Sequence, residues 1–188
     1  MGQLALFDID GTLIRTDGVG TLAIHRALSE IFDCELRVDG YVSSGKTDTQ
    51  ICLELMEAHG FTRDAVLDRL EAFRSVYVDR LTETLAARPP TVLPGVPTLL
   101  ERLAYRDDVV LGLLTGNIER VAWMKLSLAG LDGHFAFGAF GDCAAFRDLL
   151  PPIAVEAAKV TTGLTYAGKD IVIVGDLSLI HISAPTRL

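Results

Sequence analysis

The sequence predicts an α/β fold, a mostly parallel sheet covered by helices on both faces, with a block of helices inserted after the first strand. Three observations predict it. Four short apolar runs, at 4–8, 109–114, 135–140 and 170–176, read as buried strands. Helical patterns separate the last three, and strands that alternate with helices imply parallel neighbours. Residues 16 to 90 break that rhythm with three amphipathic stretches in a row. Ligands of open α/β sheets bind outside the carboxyl ends of the strands. A helical block inserted there is therefore read as a lid.

Each element has its own signal. "LALFD" (4–8) is an apolar run that ends on an acid. "GTLAIHRALSEIF" (20–32), "TDTQICLELMEAHG" (47–60) and "TRDAVLDRLEAFRSVYVDRLTETLAA" (62–87) are helical in pattern, and "RPPTVLPGVP" (88–97) is a Pro/Gly connector that closes the insertion. "VVLGLL" (109–114) is the second strand. Val121, Met124, Leu128 and Leu131 then recur at helical spacing over 118–131. "FAFGAF" (135–140) is the third strand. "PPIAVEAAKV" (151–160) opens with proline, which suits a first helical turn. "DIVIVGD" (170–176) is a β-branched strand that delivers Asp176 to a loop. The expected organisation is a core from 1–15 and 91–176, a helical cap from 16–90, and a tail from 177–188.

Bulk properties narrow the function. The chain has 188 residues, 49% apolar and 22% charged, so it can bury a sizeable core. A net charge of −8 excludes a basic field for nucleic acid or an anionic membrane, but leaves small phosphorylated ligands open. Three cysteines without C-x-x-C pairing favour a reducing compartment, and cytoplasmic location is expected. "MGQLALFDIDGTL" lacks the basic start of a signal peptide, and no apolar run reaches the ~18 residues that span a membrane. His25, His59, His134 and His181 are scattered without metal-ligand spacing. Trp123 lies near the apolar stripe of its helix and is read as packing.

"FDIDGTL" (7–13) carries the strongest chemical signal. Asp8 and Asp10 are two apart, so on an extended segment both point the same way, and Gly11 permits a tight turn. Paired carboxylates repel unless a cation or a shared proton relieves them. The stretch resembles the D-x-D-G-T motif of the haloacid dehalogenase-like (HAD) hydrolase superfamily. "LLTGN" (113–117) resembles its second motif, with Thr115 at the phosphate position beside Gly116 and Asn117. Arg147, in "FRDLLPPIA", stands between third strand and helix where the family places a Lys or Arg. Lys159 is mid-helix and too near Asp176 for that role. "IVIVGD" resembles the fourth motif. The matches run in family order over nearly the whole chain. With the cap between the first two motifs, the likeness is to phosphoglycolate phosphatase-like members.

That resemblance implies a Rossmann-like core and a Mg²⁺-dependent phosphatase acting through an aspartyl-phosphate on a small phosphorylated metabolite. Asp8 would be the nucleophile, Asp10 the acid and then the base, and Thr115 and Arg147 would hold phosphate oxygens. Asp8, the Asp10 carbonyl and Asp176 would hold the metal. Gly11, Thr12, Gly116, Asn117 and Lys46 would contact substrate.

Two stretches complicate this reading. "GYVSSGKT" (40–47) satisfies the nucleotide-binding pattern G-x-x-x-x-G-K-S/T, so a P-loop protein is one alternative. The pattern needs a buried strand before it, and "CELRVDG" (34–40) is too charged for one. A non-catalytic binding module on the same fold is the other alternative. The tail favours it, because Leu179 and Ile180 stand where the family's second acid of G-D-x-x-x-D or G-D-x-x-D would fall. "LSLIHIS" (177–183) also resembles the translation of a transposon-end sequencing adapter. The expectation is that the natural chain continues past Asp176 with an acid-bearing loop, and that the chain as written has an incomplete core, weak Mg²⁺ binding, little turnover and marginal stability.

Overall fold

Side chains along the first strand alternate between two cores, and this alternation sets the layers. The computed structural model describes residues 2–176. In β1 (Gln3–Phe7), Leu4 and Leu6 enter one apolar cluster while Ala5 and Phe7 enter another. The chain then makes the short β2 (Ile14–Arg15) and four helices: α1 (Val19–Phe32), α2 (Asp48–Ala58), α3 (Arg63–Leu67) and α4 (Leu70–Ala87). It returns through β3 (Thr91–Val92), which pairs antiparallel with β2, Arg15 opposite Thr91. The helical insertion thus leaves and re-enters the sheet layer at one two-stranded neck.

The remaining strands and α-helices are α5 (Val96–Ala104), β4 (Val109–Leu114), α6 (Glu119–Leu128), β5 (Gly138–Ala139), α7 (Leu150–Thr162) and β6 (Ile171–Val174), with short 3-10 turns at Asp132–His134, Arg147–Leu149 and Gly168–Asp170. The sheet is parallel in the order β5-β4-β1-β6. Buried residues of α5 and α6 cover one face (Val96, Leu100, Ala122, Leu126), and those of α7 (Leu150, Ala154, Ala158) cover the other. A third cluster fills the insertion with residues of α1, α2 and α4, and takes in Ile118 and Val121 at the start of α6. α6 is therefore a wall shared by insertion and sheet. None of the helices among the described residues is long and apolar enough to cross a membrane.

Several expectations needed adjustment. The helix read over 62–87 is two, broken at Asp68–Arg69. Residues 96–104, of which the connector reading covered only 96 and 97, form α5, with Pro97 in its first turn. Leu128 is half exposed and lies off the buried stripe of α6, whereas Trp123 packs on Phe140 with ring centroids 6.0 Å apart. Residues 171–174 form the edge strand of the described sheet, with Val172 exposed. The readings placed on the tail, including Leu179 and Ile180, lie outside the described residues.

Candidate active site at the carboxyl edge of the sheet

The parallel register brings the strand ends to one edge. Phe7 pairs with Val174, and the Asp8 N–H donates to the Val174 carbonyl at 2.9 Å, so the segment after β1 runs beside the segment after β6. Asp8 is buried, and its Oδ1 accepts from the Ile9 N–H at 2.8 Å. Gly11 turns the chain at φ +80°. A Cβ on Gly11 would overlap the Asp176 carboxylate, whose Cγ would lie 2.7 Å away. Only glycine permits both the turn and that approach. Arg147, in the turn before α7, donates to Asp8 Oδ2. Burial nevertheless pushes the Asp8 carboxyl up, against the pull of the Arg147 guanidinium.

The end of β4 supplies a second group. Thr115 is fully buried, and its Oγ1 accepts from the Asn117 backbone N–H at 3.3 Å and from Asn117 Nδ2 at 2.9 Å. It does not cap α6, whose N-cap residue is Ile118. Asn117 Nδ2 also donates to Asp10 Oδ2 at 2.7 Å, and the Thr16 hydroxyl donates to Asp10 Oδ1 at 3.2 Å.

A cavity of about 240 Å³ opens over these groups. Asp8, Asp10, Thr115, Asn117, Arg147 and Asp176 line it, together with Gly116 and, from the insertion, Lys46. Gly11 and Thr12 do not. Gly11 serves the turn, with its N–H on the Ile14 carbonyl, and the buried Thr12 hydroxyl has no partner among the described residues. Lys46 is engaged within the insertion by Glu54 at 2.5 Å and lies 4.3 Å from the centroid of the Tyr41 ring. Among the described residues no three His, Cys, Asp or Glu side chains are placed to hold a metal. Asp8, Asp10 and Asp176 all line the cavity, and the residues that would hold a metal there are Asp8 and Asp176 by their carboxylates and Asp10 by its carbonyl. An all-oxygen set with two carboxylates suits Mg²⁺, which keeps several waters and binds substrate phosphate.

The GYVSSGKT stretch is not a phosphate loop on a strand, because residues 33–39, which lead into it from α1, form no strand. Thr47 caps α2 by accepting from the Gln50 N–H at 2.9 Å. Its hydroxyl donates to the Ala145 carbonyl, the Asp48 N–H to the Gly116 carbonyl at 2.8 Å, and the Thr49 hydroxyl to the Gly141 carbonyl at 2.6 Å. These three residues seat the insertion on the loops after β4 and β5.

Comparison with known proteins decides the family. The family model described as "haloacid dehalogenase-like hydrolase" matches residues 3–178. The chain belongs to the haloacid dehalogenase-like hydrolases. No curated protein matches it closely enough to count. Among solved structures it is similar to a β-phosphoglucomutase from Clostridium difficile, at 19% identity and a TM-score of 0.67, over 94% of this chain and 77% of that one. CbbY from Rhodobacter sphaeroides, in complex with xylulose-(1,5)bisphosphate, matches at 16% identity and a TM-score of 0.65, over 92% and 77%. A predicted phosphoglycolate phosphatase from Haemophilus somnus matches at 22% and 0.62, over 93% and 77%. At these identities the likeness is one of fold.

In this haloacid dehalogenase-like hydrolase one polar residue, Lys125, escaped the sequence reading, and another, Asp48, expected with residues 45–47 in a lid loop facing substrate, is buried instead. Lys125 of α6 is buried, and its Nζ lies 2.6 Å from Asp10 Oδ2 and 2.6 Å from Asn117 Oδ1. Its ammonium is the chief influence holding the Asp10 carboxyl below its usual range, against burial. Asp48, at the start of α2, is buried and accepts from the Ile118 N–H at 2.9 Å. Lys125 did carry a signal. It follows Val121 by four and precedes Leu126, so it falls on the buried face of an amphipathic helix, where lysine is rare unless paired.

Proposed function

We propose that this hydrolase is a Mg²⁺-dependent phosphomonoester hydrolase, working through an aspartyl-phosphate on a small phosphorylated metabolite. The observation that carries the reading is the meeting of Asp8, Arg147 and Asp176, from three different loops, around one small polar cavity. An Asp8 oxygen forms a bond to phosphorus while the bond to the leaving alcohol breaks, and Asp10 gives that alcohol a proton. Asp10 then takes a proton from water as the water attacks phosphorus, which frees phosphate and restores Asp8. Arg147 and Thr115 hold the phosphate oxygens, and the negative charge of the substrate draws the guanidinium from Asp8. Bound Mg²⁺, held by Asp8, Asp176 and the Asp10 carbonyl, would neutralise charge between carboxylate and phosphate.

The helical insertion, residues 16–90, acts as a cap that bounds the substrate from above, with Lys46 on that wall and Gly116, from the loop after β4, opposite it. CbbY, a fold neighbour, was crystallised with a sugar bisphosphate, which agrees with a phosphorylated metabolite here. The enzyme is assigned to the cytoplasm on its three cysteines with no C-x-x-C pair. Slow turnover is expected of the 188-residue chain, since Leu179 and Ile180 replace a family acid. The test is a panel of small phosphomonoesters assayed for Mg²⁺-dependent phosphate release, with Asp8→Asn as control. Slow release that vanishes in Asp8→Asn supports the reading, and release that survives that change refutes it.

A further inference from the structure

We infer that Lys125 is a positioning residue that fixes the Asp10 carboxylate by its Oδ2 oxygen and so leaves Oδ1 as the oxygen that transfers protons. The inference rests on the phosphatase reading and names a residue that reading does not require. The D-x-D motif and its partner motifs account for Asp8, Asp10, Thr115, Arg147 and Asp176, and none of them calls for a cation in the middle of α6.

The case begins with burial. The Lys125 side chain is 3% exposed. Its helix neighbours Val121, Ala122 and Leu126 are wholly buried in apolar clusters, so leucine or methionine at 125 would pack there without desolvating a charge. A lysine at such a position is not explained by packing. Its ammonium instead reaches the edge of the cavity, where two of its three N–H groups meet Asp10 Oδ2 and Asn117 Oδ1, each at 2.6 Å. Asn117 returns a hydrogen bond to the same Asp10 oxygen at 2.7 Å. Oδ2 is thus held from two sides by groups that hold each other. Among the described residues Oδ1 has only the Thr16 hydroxyl at 3.2 Å, a long and exchangeable partner. Arg147 and Lys125 divide the two acids, one cation to each. The ammonium is anchored to a helix that also carries the Thr115–Asn117 loop, so Asp10 is referenced to the same element that holds phosphate.

A carboxylate that moves protons to and from a leaving group loses rate steeply when misplaced. The test uses the purified chain and its Lys125→Met and Lys125→Gln variants, the second keeping a polar donor, one atom shorter, in case the first is poorly folded. Two phosphomonoesters are compared, an alkyl ester whose alkoxide leaves badly and para-nitrophenyl phosphate, whose phenolate leaves well and needs little protonation. The expected result is a fall in kcat of about tenfold to a hundredfold on the alkyl ester with KM changed little, a clearly smaller fall on the aryl ester, and the same pattern in weaker form for Lys125→Gln. Equal losses on both esters, or a loss confined to KM, overturn the inference, since a structural or phosphate-binding lysine predicts those. Absent turnover in the unaltered chain, or turnover that survives Asp8→Asn, is a failure of the phosphatase reading instead. Crystal structures of the chain and of Lys125→Met then decide alone. An Asp10 side chain displaced in the variant supports positioning, and one left in place refutes it.

Discussion

Replacing Asp48 with asparagine should make this protein more stable at neutral and alkaline pH, although Asp48 is a hydrogen-bonded residue in a well-packed place. The carboxylate is buried at the start of α2, between the Ile118 N–H and the Tyr77 hydroxyl, with Asp10 and Lys125 nearby. Burial pushes its pKa from an ordinary 3.8 up to about 7, and the Lys125 charge and the Ile118 bond recover only part of that. The sign follows. Below about pH 4 the group is protonated in both folded and unfolded chains and contributes no pH dependence. Between about 4 and 7 the unfolded chain ionises and the folded one does not, so stability falls as pH rises. Above 7 the folded chain carries the whole penalty. A rise of roughly three units at ~1.4 kcal/mol each sets a ceiling of about 4 kcal/mol. Asparagine keeps the oxygen that accepts from Ile118 and never ionises. Urea unfolding followed by the fluorescence of Trp123, the one tryptophan and a residue of α6, measures this directly. The Asp48→Asn and unaltered chains should agree near pH 4 and diverge to about 2–4 kcal/mol by pH 8, with the variant higher. Parallel curves, or a variant weakened at every pH, would show that the carboxylate is not held neutral.

Two further substitutions probe the seat of the insertion and the metal donors. A Cβ added by Gly116→Ala would collide with the Lys46 carbonyl and stand 3.1 Å from Thr47 Cα. That change should cost about 1–3 kcal/mol in urea unfolding and raise KM, since Lys46 lines the cavity. Asp176→Asn should weaken Mg²⁺ binding, measured by titration calorimetry, by more than the roughly tenfold that loss of an outer-shell partner costs. Unchanged binding would remove Asp176 from the donor set.

The parts of this molecule that were legible in sequence are those where one residue type has one job. β1, β4 and β6 announced themselves as β-branched or apolar runs, with Asp8, Thr115 and Asp176 just past their ends, because a parallel sheet puts all carboxyl ends on one edge. Of the run 135–140 only Gly138–Ala139 is strand, and β2 and β3 are too short to read. Helix breaks were harder. Asp68–Arg69 interrupts an amphipathic run that contains no glycine or proline, so nothing local marks the stop. α5 was hidden behind Gly95 and Pro97, residues that punctuate loops as readily as they open helices. The GKT of residues 45–47 imitated a phosphate loop because both uses put a glycine turn and a hydroxyl residue at the start of a helix, although here the Thr47 hydroxyl caps α2. The partners of Lys125 and Asp48 were illegible for another reason. They lie 115 and 70 residues away in sequence, and burial of a charge is a property of the assembled walls.

The amino end of α6 has no capping side chain of its own. Its first N–H groups are satisfied from elsewhere, Ile118 by Asp48 of the insertion and Glu119 by Asp142 of the loop after β5. The loop expected to grip phosphate is therefore finished by a borrowed residue. An engineer who transplants a foreign specificity module between Arg15 and Thr91 must import its counterpart of Asp48 in register with Gly116 and Ile118. A chimera that matched only at the two-stranded neck would join cleanly and still leave its phosphate grip unfinished.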